Sequence, residues 1–229
     1  MGQLPKLGRR AGVSQPPQSL KVVQTVTTLH TSRMIVLTID QRGSRSDSDR
    51  VPQLLGALAG AQTVRGFERT VGDEVQGVLD DPDEAVRIVL DVLRTGRWSV
   101  GVGVGAVRTP LPASPREGAG DAFVLAREAG EAAKSRLRPQ SVAVRGAAPA
   151  AGDAEGVLVL LATVRARRSA PGWAAVDAMA DAATQDAAAA RLGITQQAVS
   201  KRLAAAGWAE ENAVRPAIGR LLAAAGART

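Results

Sequence analysis

The clearest apolar run in the chain is Met34-Ile-Val-Leu-Thr-Ile-Asp40, whose branched residues predict a buried strand ending on an aspartate. A polar loop over 41–48 follows, and Asp49 is placed to cap a helix over about 50–61. Phe67–Leu79 reads as a β-hairpin around Val71-Gly72-Asp73-Glu74, with a Gly-Asp tip. Asp81-Pro82-Asp83 opens a helix through Arg94, with Ala85, Ile88, Val89, Val92 and Leu93 on one face and acids in the first turn. Trp98–Val107 is a strand with Val100, Val102 and Val104 on one side and Gly101, Gly103 and Gly105 on the other. A glycine face on a strand signals another element packed against its backbone. A Pro-rich loop over 109–115, a helix over about 121–135 and a short strand over 141–145 complete this unit.

The order βαββαβαβ defines an α+β class, with an antiparallel or mixed sheet and helices on one face. Residues 147–153 are rich in Ala, Pro and Gly and read as a linker at a domain boundary. From 154 to 229 every segment reads as helix, and 154–168 is apolar nearly all round, which predicts a buried helix. Residues 1–33 combine Gly, Pro, Gln and Ser with bases and read as a flexible basic arm. The chain thus divides into an arm (1–33), an α+β domain (34–146), a linker (147–153) and a helical domain (154–229).

Composition narrows the chemistry. There is no Cys and no Tyr, and His30 is the single histidine, which excludes disulfides, thiolate nucleophiles and Cys-ligated metals and leaves no multi-His site. The net charge of +7 is uneven: residues 1–33 carry +5, 34–146 balance and 147–229 carry +2. That excess suits a polyanionic partner, although most of it lies in the arm. The arm admits two readings, a basic tail lying on nucleic acid or an extension preceding a natural start at Met34, and the second is plainer. No apolar run reaches the roughly 18–20 residues of a membrane helix, and the N-terminus lacks an apolar signal region, so a cytoplasmic location is expected.

Residues 184–206 hold a short helix to Leu192, Gly193 at a turn and Thr195 as the cap of a second helix. Ala188, Ala189, Leu192, Ile194, Val199 and Leu203 supply small and apolar contacts between the two. This segment resembles the DNA-binding helix-turn-helix of bacterial regulators. The resemblance implies a second helix lying in the major groove of double-stranded DNA, reading it with Thr195, Gln196, Gln197, Ser200, Lys201 and Arg202. The small charge of this part implies a homodimer. The plainer alternative is a helical corner whose polar face is only solvated.

Asp40 ends the first strand and Asp73 sits at the hairpin tip, and two carboxylates brought together at sheet edges suit a hard cation that bridges phosphates. Gly72-Asp73-Glu74, Gly101-Val-Gly-Val-Gly105 and Gly120-Asp-Ala-Phe123 through Arg127 are similar to motifs of the nucleotidyl cyclase superfamily, and closest to the bacterial SatD family. The resemblance implies a ferredoxin-like, palm-type sheet, Asp40 and Asp73 as metal ligands, Gly72 and Arg127 at a nucleotide, and Mg²⁺ with a purine nucleotide as cofactor. Departures count against turnover: Phe123 stands where class III cyclases place a transition-state Asn, and Val71 replaces the first Gly of a GGDEF tip. The alternative is that Asp40 and Gly72-Asp73 only form turns.

The sequence therefore points to a bacterial transcription regulator, with a catalytically degenerate cyclase-like domain used for sensing or dimerisation. A Mg-dependent nucleotide-binding or cyclase-type enzyme is the rival. A helical module that docks protein is a third reading.

Overall fold

The computed structural model describes residues 1–2, 30–44 and 46–226. Most of the basic arm lies outside the described residues. Five strands form one sheet in the order β2-β3-β1-β4-β5, built from β1 (His30–Gln41), β2 (Arg65–Arg69), β3 (Glu74–Leu79), β4 (Trp98–Thr109) and β5 (Val142–Arg145). Pairing is antiparallel except between β4 and β5, so the sheet is mixed, as expected. The helices are α1 (Val51–Leu58), α2 (Pro82–Arg94), α3 (Asp121–Ala133), α4 (Ala150–Ala166), α5 (Ala170–Ala180), α6 (Gln185–Leu192), α7 (Gln196–Ala205) and α8 (Trp208–Ala225).

The glycine face of β4 does what its sequence implied. A Cβ on Gly101 would meet the backbone of Ala126 and Gly130, and one on Gly103 the backbone of Ala122 and Ala126. Only glycine lets α3 lie this close to the sheet. On the opposite face, Val100, Val102 and Val104 join Ile35, Leu37 and Ile39 in a core shared with α1, α2, α4 and α8. Helices therefore cover both faces, which corrects the one-face expectation. The valine face alone cannot be left wet, and the C-terminal helices close it.

Two boundaries move. β1 starts at His30, four residues before Met34, because β4 runs on to Thr109 and gives Thr31, Ser32 and Arg33 partners at Arg108, Val107 and Ala106. The end of the arm is thus part of the sheet. The segment read as a linker contains the first turn of α4, and Ala151 and Ala154 of that helix are buried in the sheet core. Ile218, Leu222 and Ala225 of α8 enter the same core, and the Ala147 N–H donates to the Ala225 carbonyl at 2.8 Å. Hence α4 and α8 complete the sheet unit, and the composition of 147–153 marks a helix start rather than a hinge.

α4 is not buried all round. Its Leu158 and Leu161 pack inward, whereas Leu160 is 66% and Val164 41% exposed. The α5–α7 segments close on their own small core of Ala175, Ala178, Ala188, Ala189, Val199 and Leu203. Among the described residues no helix is long and apolar enough to cross a membrane.

Candidate functional site

Two places collect the residues singled out by the sequence. The first is α7. Thr184 caps α6 by accepting from the Ala187 N–H, and Gly193 ends that helix at φ 65°, a left-handed conformation that favours glycine. Thr195 Oγ1 then accepts from the Ala198 N–H at 3.2 Å and starts α7. Val199 and Leu203 are buried against α5 and α6, which turns the opposite side of α7 outward. Thr195, Gln196, Gln197, Ser200 and Lys201 are all exposed, and Arg202 is half-buried. The structure brings these six residues to one edge of the bundle. They are not equally available: Gln196 Nε2 donates to Gln185 Oε1 on α6 at 2.8 Å, which turns its amide towards the neighbouring helix.

The second place is the end of β1. Asp40 sits across from Glu74 on β3 and Ser99 on β4. Lys134, which ends α3, lies 3.0 Å from Asp40 Oδ2 and 2.9 Å from Glu131 Oε1. Burial pushes the Asp40 carboxyl above the usual aspartate range; Lys134 opposes this, and the charges of Asp73 and Glu74 add to it. For Lys134, burial favours the neutral amine, but its bonds to Glu131 and Asp40 outweigh this and raise its pKa.

Asp73 follows Gly72, which holds φ 60° at the exposed hairpin tip beside an exposed Val71. Asp73 Oδ2 is buried without a hydrogen-bond partner. Glu74 is held within the hairpin, where its Oε1 accepts from Thr70 Oγ1 at 2.5 Å. A cavity of about 580 Å³ opens beside Asp40, and Arg42, Ser99, Lys134 and Arg136 line it. Gly72, Asp73 and Arg127 do not line it, so the cavity does not join the two expected metal ligands, and Phe123 is buried in a second apolar cluster with Val36, Val78 and Val107.

The fit to a divalent cation is poor as the side chains stand. Asp73 offers a buried oxygen, but an ammonium already occupies the Asp40 carboxylate. Among the described residues no group of three or more His, Cys, Asp or Glu is arranged to hold a metal ion. The cations around the cavity were missed from sequence, because Lys134 and Arg136 lie more than ninety residues from Asp40 along the chain. Their one available signal was the helix facing the glycines of β4, which carries Lys134 at its end.

No family model matches the chain, and no curated protein matches it. Among solved structures, a bacterial light-regulated adenylyl cyclase is similar at 16% identity and a TM-score of 0.33, over 45% of this chain and 41% of that one. The chain thus spans well under half the length of that cyclase. The likeness is a weak one of fold, and no residue role is carried across from it. Neither the SatD resemblance nor the helix-turn-helix resemblance has a counterpart in these matches.

Proposed function

We infer that the chain binds double-stranded DNA through α7 as a bacterial transcription regulator. The observation that carries this reading is the outward face of α7, where Gln197, Ser200 and Lys201 stand exposed while Val199 and Leu203 anchor the helix from behind. Gln197 can donate to and accept from one adenine edge, and Lys201 can meet guanine or a phosphate. Thr195, at the α7 N-terminus, is placed for the DNA backbone, where the helix dipole favours a phosphate. Arg202 is set back and suits a phosphate contact. The weak positive charge of the helical part favours two copies on one site, with half-sites about one helical turn apart. Selection of bound sequences from a random DNA pool, followed by footprinting, tests this. A recovered motif with paired half-sites supports it, and recovery of no motif at low salt contradicts it.

A second reading places a nucleotide in the cavity beside Asp40. Arg42, Lys134 and Arg136 favour a phosphate there. The residues do not fit a divalent cation, since Lys134 holds Asp40 and Asp73 lies outside the cavity lining, so this reading rests on the cationic side chains alone. Buried Phe123 and the remote Arg127 support binding without turnover. A melting-temperature rise with a purine nucleotide that is lost in Lys134→Ala supports this reading. No rise with any purine nucleotide, with or without Mg²⁺, removes it.

A further inference from the structure

Two exposed large apolar side chains, Leu160 and Val164, stand one turn apart on the outer side of α4, away from its buried Leu158 and Leu161. Asp153, Gly156 and Arg167 are exposed as well, and Arg167 caps the end of the helix. By helical geometry these four other positions fall within about 40° of Leu160, so all five share one face. Neither reading above uses it.

The glycine is the first sign that this face meets something. A Cβ on Gly156 would meet nothing within 4 Å, so nothing inside the chain calls for glycine there. Glycine in a helix interior is less stable than alanine, which this chain uses freely. What it allows is the close approach of a side chain from outside to the backbone.

The second sign is symmetry. The five positions lie at −7, −4, 0, +4 and +7 from Leu160. An antiparallel α4 from a second copy, related by a two-fold axis at Leu160, sets Leu160 on the partner's Leu160 and Val164 on the partner's Gly156. The same axis sets Arg167 on the partner's Asp153. Large then meets small and base meets acid, each contact made twice. A parallel pairing would set Asp153 on the partner's Asp153, so charge fixes the direction. Within one chain Asp153 and Arg167 are about 21 Å apart along the helix and cannot meet. Neither is in an ion pair among the described residues. Each also suits its own end of the helix dipole, a role that predicts no effect on association.

We propose that this face of α4 is the contact of a homodimer, occupied by a second copy of the chain. A single helix pair buries less than the roughly 1,200–2,000 Å² of a stable complex, so the dimer is a transient one. The inference does not rest on the DNA reading, which asks for two copies but names no contact between them.

The chain has no cysteine, so single cysteines report the contact. Full-length Leu160→Cys should form a disulfide-linked dimer under mild oxidation, because the axis brings the two Cα atoms within the roughly 7 Å a disulfide spans. Val164→Cys is exposed too, but its two copies are offset by about 12 Å along the helices and should stay unlinked. Mixing Val164→Cys with Gly156→Cys should give the linked mixed pair. Sedimentation velocity on the cysteine-free chain tests the charges. Association should weaken about tenfold in Asp153→Arg and in Arg167→Asp, since symmetry counts each change twice, and recover in the double variant. Recovery also excludes misfolding as the cause of the loss. The proposal is overturned by an unlinked Leu160→Cys, by Val164→Cys linking as fully, by no mixed pair, or by a double variant no stronger than the single ones. A parent chain that stays monomeric at about 0.5 mM overturns it too. No readout involves DNA, so its failure and that of the DNA reading are separable.

Discussion

The sheet unit buries Leu37, Ile39, Leu79, Ile88, Leu90 and Leu158 between its layers, whereas the α5–α7 bundle closes on Ala175, Ala178, Ala188 and Ala189, with Val199 and Leu203 its largest fully enclosed side chains. A leucine carries three more carbons than an alanine, so each alanine position contributes roughly 2 kcal/mol less. The bundle's attachment to the body differs as well. Arg94 grips Asp177 through two bonds of 2.7 and 2.8 Å, and Arg168, which pairs with Glu211 of α8, donates to the Ala206 carbonyl at 2.7 Å. The guanidiniums of Arg94, Arg165 and Arg168 surround the Trp173 ring at 3.8, 5.0 and 4.9 Å. One region thus rests on a large apolar core, the other on a small one of its own and on charges around an indole. The surface proposed to meet DNA sits on the region with the smaller apolar core.

Three substitutions and one change of pH test this contrast. Val199→Asp puts an unpaired carboxylate into the small core and should cost about 4 kcal/mol or more, melting the bundle. Methyl NMR should then show the sheet core intact. Loss of both regions together would mean that they are one cooperative unit. Glu211→Gln leaves Arg168 buried without its counter-charge and Arg165 with Asp91 alone, and should cost about 3–5 kcal/mol by denaturant titration. A cost below about 1 kcal/mol would show that the attachment does not rest on charge.

Gly103→Val drives a side chain into the backbone of α3 and should cost about 1–3 kcal/mol or more, this time from the sheet unit. Unchanged stability would mean that α3 is not fixed against β4. The smallest effect concerns pH. The bond to Arg94 holds Asp177 below its ordinary value of 3.8. The folded pKa is lowered, so this stabilisation is present above that ordinary value and lost as pH falls through the folded one. The pair is largely exposed, so its loss should be worth about 0.2–1 kcal/mol, read as a lower protection factor of α5 amides in acid, relative to their intrinsic exchange rates, and its absence in Asp177→Asn.

What the sequence showed and hid follows the range of the forces involved. The α7 face was legible because its determinants are local: Gly193 sets the turn, Thr195 the cap, and the spacing of Val199 and Leu203 the buried side. The glycine face of β4 was legible for the same reason, as alternation along one strand. The partner of Asp40 was not, since Lys134 reaches it only after α3 has packed on the sheet. The merging of α4 and α8 into the sheet unit was hidden by composition. A run of Ala, Gly and Pro over 147–153 suggests a linker, yet alanine is also the best helix former, and Ala151 and Ala154 are small enough to lie against the strands. The start of β1 was hidden because Thr31, Ser32 and Arg33 are polar and are ordered by pairing with β4, not by burial.

DNA reading by the exposed side of α7, as proposed, is measured by comparing the parent chain with a Gln196→Ala, Gln197→Ala, Lys201→Ala triple variant on a selected site and on random DNA. These residues are exposed, so the variant should melt with the parent. Fluorescence anisotropy at about 50 and 200 mM salt then gives both affinities and their salt slopes. The predicted result is a loss on the selected site of about 1–3 kcal/mol for each base contact removed, Gln197 contributing most, with random DNA affected only through Lys201 and a slope lower by about one. A folded triple variant that keeps full preference for the selected site over random DNA would contradict the account.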